Sequence, residues 1–322
     1  MAHPSFLARI PSTPPVLMRR LALLAVLAQG GIAVTGSVVR VTGSGLGCPT
    51  WPNCFPGSLV PVAHPEIAAL TQWIEFSNRL LTFVVVAISG FCLLAALNTR
   101  PRRRRLTWLA VAMPLGVVAQ AVIGGFTVLL GLAWWSVMPH FLASMLLVWL
   151  AVQLVDEATA GGPVVRTVPG AVRGLIVLST VVLGALLAAG TLVTAAGPHA
   201  GDASTPRLGL GVPAMAQLHA DLLFAYLGLL AGLGFTLFAT HAPTALKRRY
   251  WVLVAVVAAQ GALGGIQYAL GVPEVLVALH VLGAAAVTAA AAAVWAGTSR
   301  RAPLPGGEAD APVDEPALAA RP

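Results

Sequence analysis

Long apolar runs separated by short polar segments divide this chain into eight stretches. Each run holds about 20 predominantly apolar residues, the length that an α-helix needs to cross the hydrocarbon core of a bilayer. Charged residues gather mainly between the runs. The pattern predicts eight transmembrane helices, at about residues 18–38, 72–97, 106–129, 137–155, 173–195, 214–240, 251–270 and 275–297.

The composition favours an all-α membrane protein with the same eight transmembrane helices. The chain is 58% hydrophobic and only 9% charged, whereas a soluble domain carries roughly 25% charged residues. Its net charge of +8 would suit a nucleic-acid partner. The basic residues, however, fall where membrane orientation places them, so we expect membrane lipid and no nucleic acid around this chain.

Basic residues occupy alternate loops, while the opposite loops hold only Arg40 and Arg207. By the positive-inside rule, the basic loops and both the N and C termini are cytoplasmic. We therefore expect a multi-pass protein of the cell (plasma) membrane. The basic positions are Arg9, Arg19, Arg20, Arg100, Arg102 to Arg105, Arg166, Arg173, Lys247 to Arg249, Arg300 and Arg301.

An internal repeat at an offset of about 140 residues predicts two pseudo-symmetric four-helix bundles. We expect a cytoplasmic N-terminal segment at 1–17, an N-terminal half at 18–155 with an external loop at 40–70, a cytoplasmic linker at 156–172, a C-terminal half at 173–297 and a disordered tail at 298–322. The repeat pairs Gln120, Gly124, Gly125, Gly131 and His140 with Gln260, Gly264, Gly265, Gly271 and His280.

Ionisable side chains within the predicted helices are costly in a membrane, so each one is a candidate for function. All of them fall in the outer part of even-numbered helices and would form one polar layer. The candidates are Glu75, Arg79, His140, His219, Asp221 and His280, with the polar Asn78 one helical turn from Glu75.

Histidines at one depth on neighbouring helices favour a heme. A lone histidine in an apolar helix is more often structural, but His219 and His280 could supply two axial ligands to one iron. Zinc or copper usually needs three or four ligands. Asp221 is a poor third ligand, because two positions from His219 it lies on another helix face. The glycine pairs would admit a flat macrocycle, although close helix packing explains them equally well.

The two halves are unequal, because Asn78 stands where the second half has His219, at an offset of 141. Two histidines suit electron transfer, whereas His140 with a nearby carboxylate suits chemistry on a ligand. The alternative for Glu75 is an ion pair with Arg79, four residues on, that stabilises the helix entry.

Three cysteines fall into two environments. Cys48 and Cys54 lie in the first external loop, where a disulfide is chemically permitted. A metal-binding pair and a redox-active dithiol are the alternatives. Cys92 lies inside the second apolar run and is expected to be an inert core residue.

Several segments closely resemble heme A synthase, and the resemblance covers about residues 16 to 298. The longest and most specific is Gln29 to Cys54, with the sequence QGGIAVTGSVVRVTGSGLGCPTWPNC. The shorter segments are Ile74 to Arg79, Pro139 to Phe141, Gln217 to His219 and Leu279 to Val281.

The resemblance implies an enzyme that oxidises a methyl group of heme O to a formyl group by successive hydroxylations, giving heme A for cytochrome oxidase. It implies a heme b with His219 and His280 as axial ligands, and a catalytic Glu75 beside the substrate heme. The partners would be heme O, heme O synthase, and an electron donor or acceptor of unknown identity. The substrate site would also contain His140 and Asn78, with Arg40 and Arg79 at the propionates and a Cys48–Cys54 disulfide nearby.

Two departures accompany the resemblance. The family commonly has Glu-x-x-His where this chain has Glu75-Phe-Ser-Asn78, so Asn78 either hydrogen bonds the substrate or leaves one face open. Residues 196–213 lack a second cysteine pair that some relatives have. Two other functions stay open: a diheme membrane cytochrome that exchanges electrons with quinone, and a non-catalytic heme-binding or transport protein.

Overall fold

Eight long helices make up most of the computed structural model, which describes residues 11–159 and 162–301. Each is long and apolar enough to cross a membrane, so the predicted all-α membrane fold is confirmed. Most of the N-terminal segment 1–17 and of the tail 298–322 lies outside the described residues. The helices are α1 (Pro15–Val41), α2 (Ala69–Leu97), α3 (Arg104–Leu129), α4 (Trp134–Ala158), α5 (Gly170–Ala196), α6 (Val212–Ala239), α7 (Thr244–Ala269) and α8 (Glu274–Ala296).

The loops that close α3 and α7 show that the 140-residue repeat is structural. Each contains two successive residues in the left-handed region, Gly131 and Leu132 at φ 60° and 59°, and Gly271 and Val272 at φ 76° and 62°. In both loops the second residue donates its N–H to a carbonyl five positions earlier, over 2.8 Å. A glycine tolerates this backbone without a Cβ penalty and so ends the helix in a tight turn.

The helices are arranged as two four-helix bundles that differ in how tightly they close. In the N-terminal half every helix packs against both of its neighbours. In the C-terminal half α5 packs on α6 and α7 packs on α8, but contacts between these two pairs are sparse. The halves meet where α8 packs against α1 and α4, and the Gln153 side chain there donates to Ala292 O over 2.9 Å.

The apolar core lies toward one end of each bundle. One buried cluster joins α1 to α4 around Met18, Met113 and Leu154, and another joins α5 to α8 around Tyr226 and Leu246. Both lie mainly toward the end that carries the basic loops, which we call the arginine side. The opposite end, which carries the Cys48–Cys54 loop, is the disulfide side, and the histidines and their glycines lie toward it.

Two short strands on the arginine side were not expected from the sequence. β1 (Val164–Arg166) pairs antiparallel with β2 (Ser299–Arg301), so the predicted linker and the first residues of the predicted tail form a small sheet. Three-residue strands are too short to give a periodic pattern. The buried Glu157 accepts a hydrogen bond from Arg301 and forms an ion pair with Arg105.

Candidate functional site

His219 on α6 and His280 on α8 face each other across the open side of the C-terminal bundle. Their ring centroids lie 6.3 Å apart, with an angle of 63° between the rings. His219 Nδ1 is 3.0 Å from Leu186 O on α5, so Nδ1 carries the proton and Nε2 presents its lone pair. His280 Nδ1 is buried and has no hydrogen-bond partner among the described residues. The sequence-predicted ligand pair is therefore brought together.

A glycine on the preceding helix backs each of the three histidines. The added Cβ of an alanine at any of these glycines would lie closer to the imidazole ring than side chains normally pack. Each histidine ring thus rests directly on the backbone of the neighbouring helix, which only glycine permits. The Cβ to Cε1 distances would be 3.2 Å for Gly124 and His140, 3.1 Å for Gly190 and His219, and 2.9 Å for Gly264 and His280.

The repeated glutamines hold the backbone of the histidine helices. Gln120 on α3 donates from Nε2 to His140 O over 3.0 Å, and Gln260 on α7 donates to His280 O over 2.8 Å. Gln120 also donates to Ser144 Oγ on α4. The sequence repeat included both glutamines, but only the structure shows that each one binds the carbonyl of its histidine.

The candidate site residues lie at similar depths along their helices, as the predicted polar layer requires. Glu75, His140 and His280 each lie six residues after the first residue of their helix, and His219 lies seven after it. At 1.5 Å per residue, this is about 9 to 11 Å from the helix start. All four helices begin on the disulfide side, so these side chains occupy one level of the two bundles.

Glu75 lies in a buried network with Arg79 and the disulfide loop. The residue as a whole is 5% exposed, and Oε2 accepts the Cys48 N–H over 2.7 Å. Oε1 accepts Arg79 Nη2 at 2.5 Å and Nε at 3.1 Å. Arg79 also donates to the carbonyl oxygens of Thr50, Asn53 and Cys48. The ion pair considered from the sequence is therefore present, and it extends into the loop.

The loop that this network holds is closed by the Cys48–Cys54 disulfide, which confirms the predicted pair. Both cysteines are fully buried. The Trp51 ring of this loop packs on Gly125 of α3, where a Cβ would overlap it. The loop thus covers the disulfide side of the N-terminal bundle. Cys92 lies elsewhere, buried, with Sγ 3.2 Å from Leu21 O.

Asn78 is bound by a residue that the sequence did not single out. Thr35 on α1 donates from Oγ1 to Asn78 Oδ1 over 2.7 Å, which leaves the amide Nδ2 of Asn78 as a donor. A Cβ at Gly36 would lie 4.0 Å from this nitrogen. A glycine of the preceding helix therefore lies beside Asn78, but at an ordinary contact distance rather than the close approach seen at the histidines.

Arg40 and Asp221 lie apart from the groups described above. Arg40 Nε donates to His199 O, in the loop before α6, over 2.8 Å. Asp221 is exposed and accepts a hydrogen bond from Gln217 over 2.6 Å, on the face of α6 away from His219. Arg79 uses all five of its N–H donors within the Glu75 network.

The residues of the C-terminal half fit a heme held between its two helix pairs. A metal–imidazole bond is about 2.0 Å long, so nitrogens on opposite faces of one metal ion lie about 4 Å apart. Ring centres lie slightly farther back, in keeping with the 6.3 Å separation of His219 and His280. The sparse packing between the helix pairs supports the same fit.

Fold and site together define a multi-pass membrane protein of two four-helix halves, each with a glycine-backed histidine in a polar layer. Residues 19–292 match the COX15-CtaA family, described as cytochrome oxidase assembly protein, and the chain belongs to this family.

Individual relatives are similar over shorter stretches. The heme A synthase of Shouchella clausii (strain KSM-K16) is 31% identical over 118 residues, which is 35% of this chain and 36% of that protein. The heme A synthase of Geobacillus kaustophilus (strain HTA426) is 27% identical over 109 residues, 34% of this chain and 32% of that protein. The chain therefore matches about a third of the length of each of these relatives.

Proposed function

We propose that this chain is a heme A synthase, which oxidises a methyl group of heme O to a formyl group. The observation that carries the proposal is the paired His219 and His280 in one half, set against a buried carboxylate at the same level in the other. Membership of the cytochrome oxidase assembly family and the names of the relatives support it.

In the C-terminal half, His219 and His280 would hold a heme b through one nitrogen each. The Leu186 carbonyl fixes the ring of His219, and Gln260 fixes the helix backbone at His280. A heme bound in this way supplies one-electron transfer. Gly190 and Gly264 let the two rings lie against α5 and α7.

In the N-terminal half, His140 and Asn78 would bind the substrate heme, with Glu75 near the methyl group. Two hydroxylations would convert this methyl group to a geminal diol, which loses water to give the aldehyde; each hydroxylation removes two electrons, which must pass to an external electron acceptor. Glu75 would accept a proton or stabilise developing positive charge during these steps. Arg40 stays a prediction as a propionate partner, whereas Arg79 has no donor to spare in this conformation.

We further propose that the disulfide side faces the outside of the plasma membrane. The basic loops lie on the other side, as the positive-inside rule requires for the cytoplasm. A disulfide in the Cys48–Cys54 loop is also favoured by an oxidising compartment. A complex with heme O synthase and the identity of the electron partner stay predictions.

Expression with a source of heme O, followed by heme extraction and chromatography, tests the proposal. The wild-type chain should form heme A. Glu75→Gln should abolish heme A formation and keep the low-spin heme b spectrum, while His280→Ala should lose that spectrum. Reversible heme reduction without conversion would identify a diheme cytochrome instead. Normal heme A formation by Glu75→Gln would refute the catalytic assignment.

A further inference from the structure

The Glu75 network has a feature that an ordinary helix ion pair lacks. An exposed pair four residues apart on a helix stabilises that helix only slightly and binds no other segment. Here the side chains of Glu75 and Arg79 are 6% and 20% exposed, and the network also binds a separate loop. Its extent points to a role beyond helix stability.

Arg79 joins helix α2 to the disulfide loop through a single guanidinium group. It donates twice to the carboxylate of Glu75 on its own helix and to the carbonyl oxygens of Cys48, Thr50 and Asn53 in the loop. These carbonyls lie within or beside the ring closed by the disulfide. Lysine has three donors and no planar fork, so it cannot satisfy the same set.

The loop reaches the carboxylate by a second route that does not involve Arg79. The Cys48 N–H donates to Glu75 Oε2, and Cys48 Sγ lies 4.0 Å from Gln72 O on α2. A Cβ on Gly47 would overlap the backbone of Thr71, so the loop backbone lies directly against the start of α2. Each oxygen of Glu75 is therefore bound from a different direction, one by Arg79 and one by the loop.

We propose that Arg79 is a positioning residue that couples Glu75 to the Cys48–Cys54 loop, so that one network sets the carboxylate orientation and the loop closure. The role of this coupling in catalysis rests on the proposed function, in which Glu75 acts on the substrate. The coupling itself rests on the hydrogen bonds of Arg79 and can be measured without turnover.

The experiment compares the full-length wild type with Arg79→Gln and Arg79→Lys. The matched control is Arg207→Gln, which removes another arginine that donates to a loop carbonyl, that of Pro198, on the same side of the protein. Three quantities are measured for each protein. They are the rate at which a water-soluble phosphine reduces the disulfide, the infrared carboxyl band that Glu75→Gln removes, and the rate of heme A formation at saturating heme O.

For Arg79→Gln we expect disulfide reduction to accelerate at least about tenfold, because several charge-assisted hydrogen bonds to the loop are lost. The Glu75 band should shift, and the rate of heme A formation should fall with little change in KM. Arg79→Lys should restore the Glu75 band partly, because the charge remains. Arg207→Gln should match the wild type in disulfide reduction and in the Glu75 band.

The heme b spectrum of the C-terminal half checks that each variant has folded. If Arg79→Gln does not fold, the same comparison with Arg79→Lys decides the matter, since this variant keeps the charge and loses carbonyl contacts. Reduction within twofold of the wild-type rate, together with an unshifted Glu75 band, would overturn the coupling. If the wild type forms no heme A, the proposed function fails, while the reduction rate and the infrared band still test the coupling.

Discussion

Replacing Gly264 with alanine isolates the contact on which the proposed heme b site depends. The new Cβ would lie 2.9 Å from Cε1 of His280, a distance that real Cβ atoms essentially never show. Gly265, the next residue on the same helix, offers a matched control, since a Cβ there would meet no atom of the described residues within 4 Å. Both changes add one methyl group to α7.

The expected loss of heme retention follows from the steric overlap between the new Cβ and the His280 ring. Ordinary carbon–carbon contact begins at about 3.5 Å, so the His280 ring or α7 must move by about half an ångström. Overpacking of this kind costs about 1 to 3 kcal/mol. If the cost falls on the ligand-binding geometry, heme retention should weaken by about 5-fold to 150-fold, at 1.4 kcal/mol per factor of ten. The gain from alanine over glycine in a helix is about 1 kcal/mol and favours folding equally in both variants.

The assay is transfer of heme b from detergent-purified protein to excess apomyoglobin, followed by absorbance. Gly264→Ala should lose heme faster than the wild type and show a perturbed low-spin spectrum. Gly265→Ala should retain heme as well as the wild type does. Equal retention by the two variants would show that the glycine contact does not position His280, and the ligand geometry argued above would then be wrong.

Two further pairs of substitutions test each half and the core separately. Gln260→Leu removes the donor to the His280 carbonyl and should weaken heme b retention by about tenfold. Gln120→Leu removes the equivalent donor to the His140 carbonyl and should lower heme A formation while heme b stays in place. Absorption spectra measure heme b, and heme chromatography measures heme A. Gly234→Ala would place a Cβ against the hydroxyl of Tyr250 and should lower the free energy of unfolding by about 1 to 3 kcal/mol. Gly232→Ala, where a Cβ meets no described atom within 4 Å, should not lower it. Thermal melts followed by tryptophan fluorescence compare the two variants, and equal melting temperatures would refute the overlap.

The sequence predicted the helices and the polar layer because both depend on local composition. A run of 20 apolar residues specifies a membrane helix almost by itself. Helix direction then determines which ends share a level, and His140 and His280 therefore lie at the predicted depth. The Cys48–Cys54 disulfide could be expected from its loop, although competing interpretations were open until the structure showed the bond.

Hydrogen-bond partners could not be predicted in the same way, since they depend on how helices and loops pack. Nothing in the sequence joins Thr35 to Asn78, 43 residues away, or Arg79 to the carbonyl of Cys48. Backbone carbonyls carry no sequence signal at all, and three of the five donors of Arg79 bind them. The β1–β2 pair escaped prediction because two three-residue segments, far apart in the chain, form it.

The two halves are packed differently, and this difference suits the different roles proposed for them. In the C-terminal half, sparse contacts separate the helix pairs, and a Cβ at Gly265 would meet no described atom within 4 Å. In the N-terminal half, the equivalent Gly125 lies under Trp51 of the disulfide loop, and all four helices pack as a ring. A resident heme needs space between helices and a ligand on each face, so the gap between the helix pairs, with His219 and His280 across it, supports the proposed heme b site. In the N-terminal half the loop binds both Arg79 and Glu75, the proposed catalytic carboxylate, so the close packing there would fix that carboxylate rather than leave a gap for a permanently held cofactor.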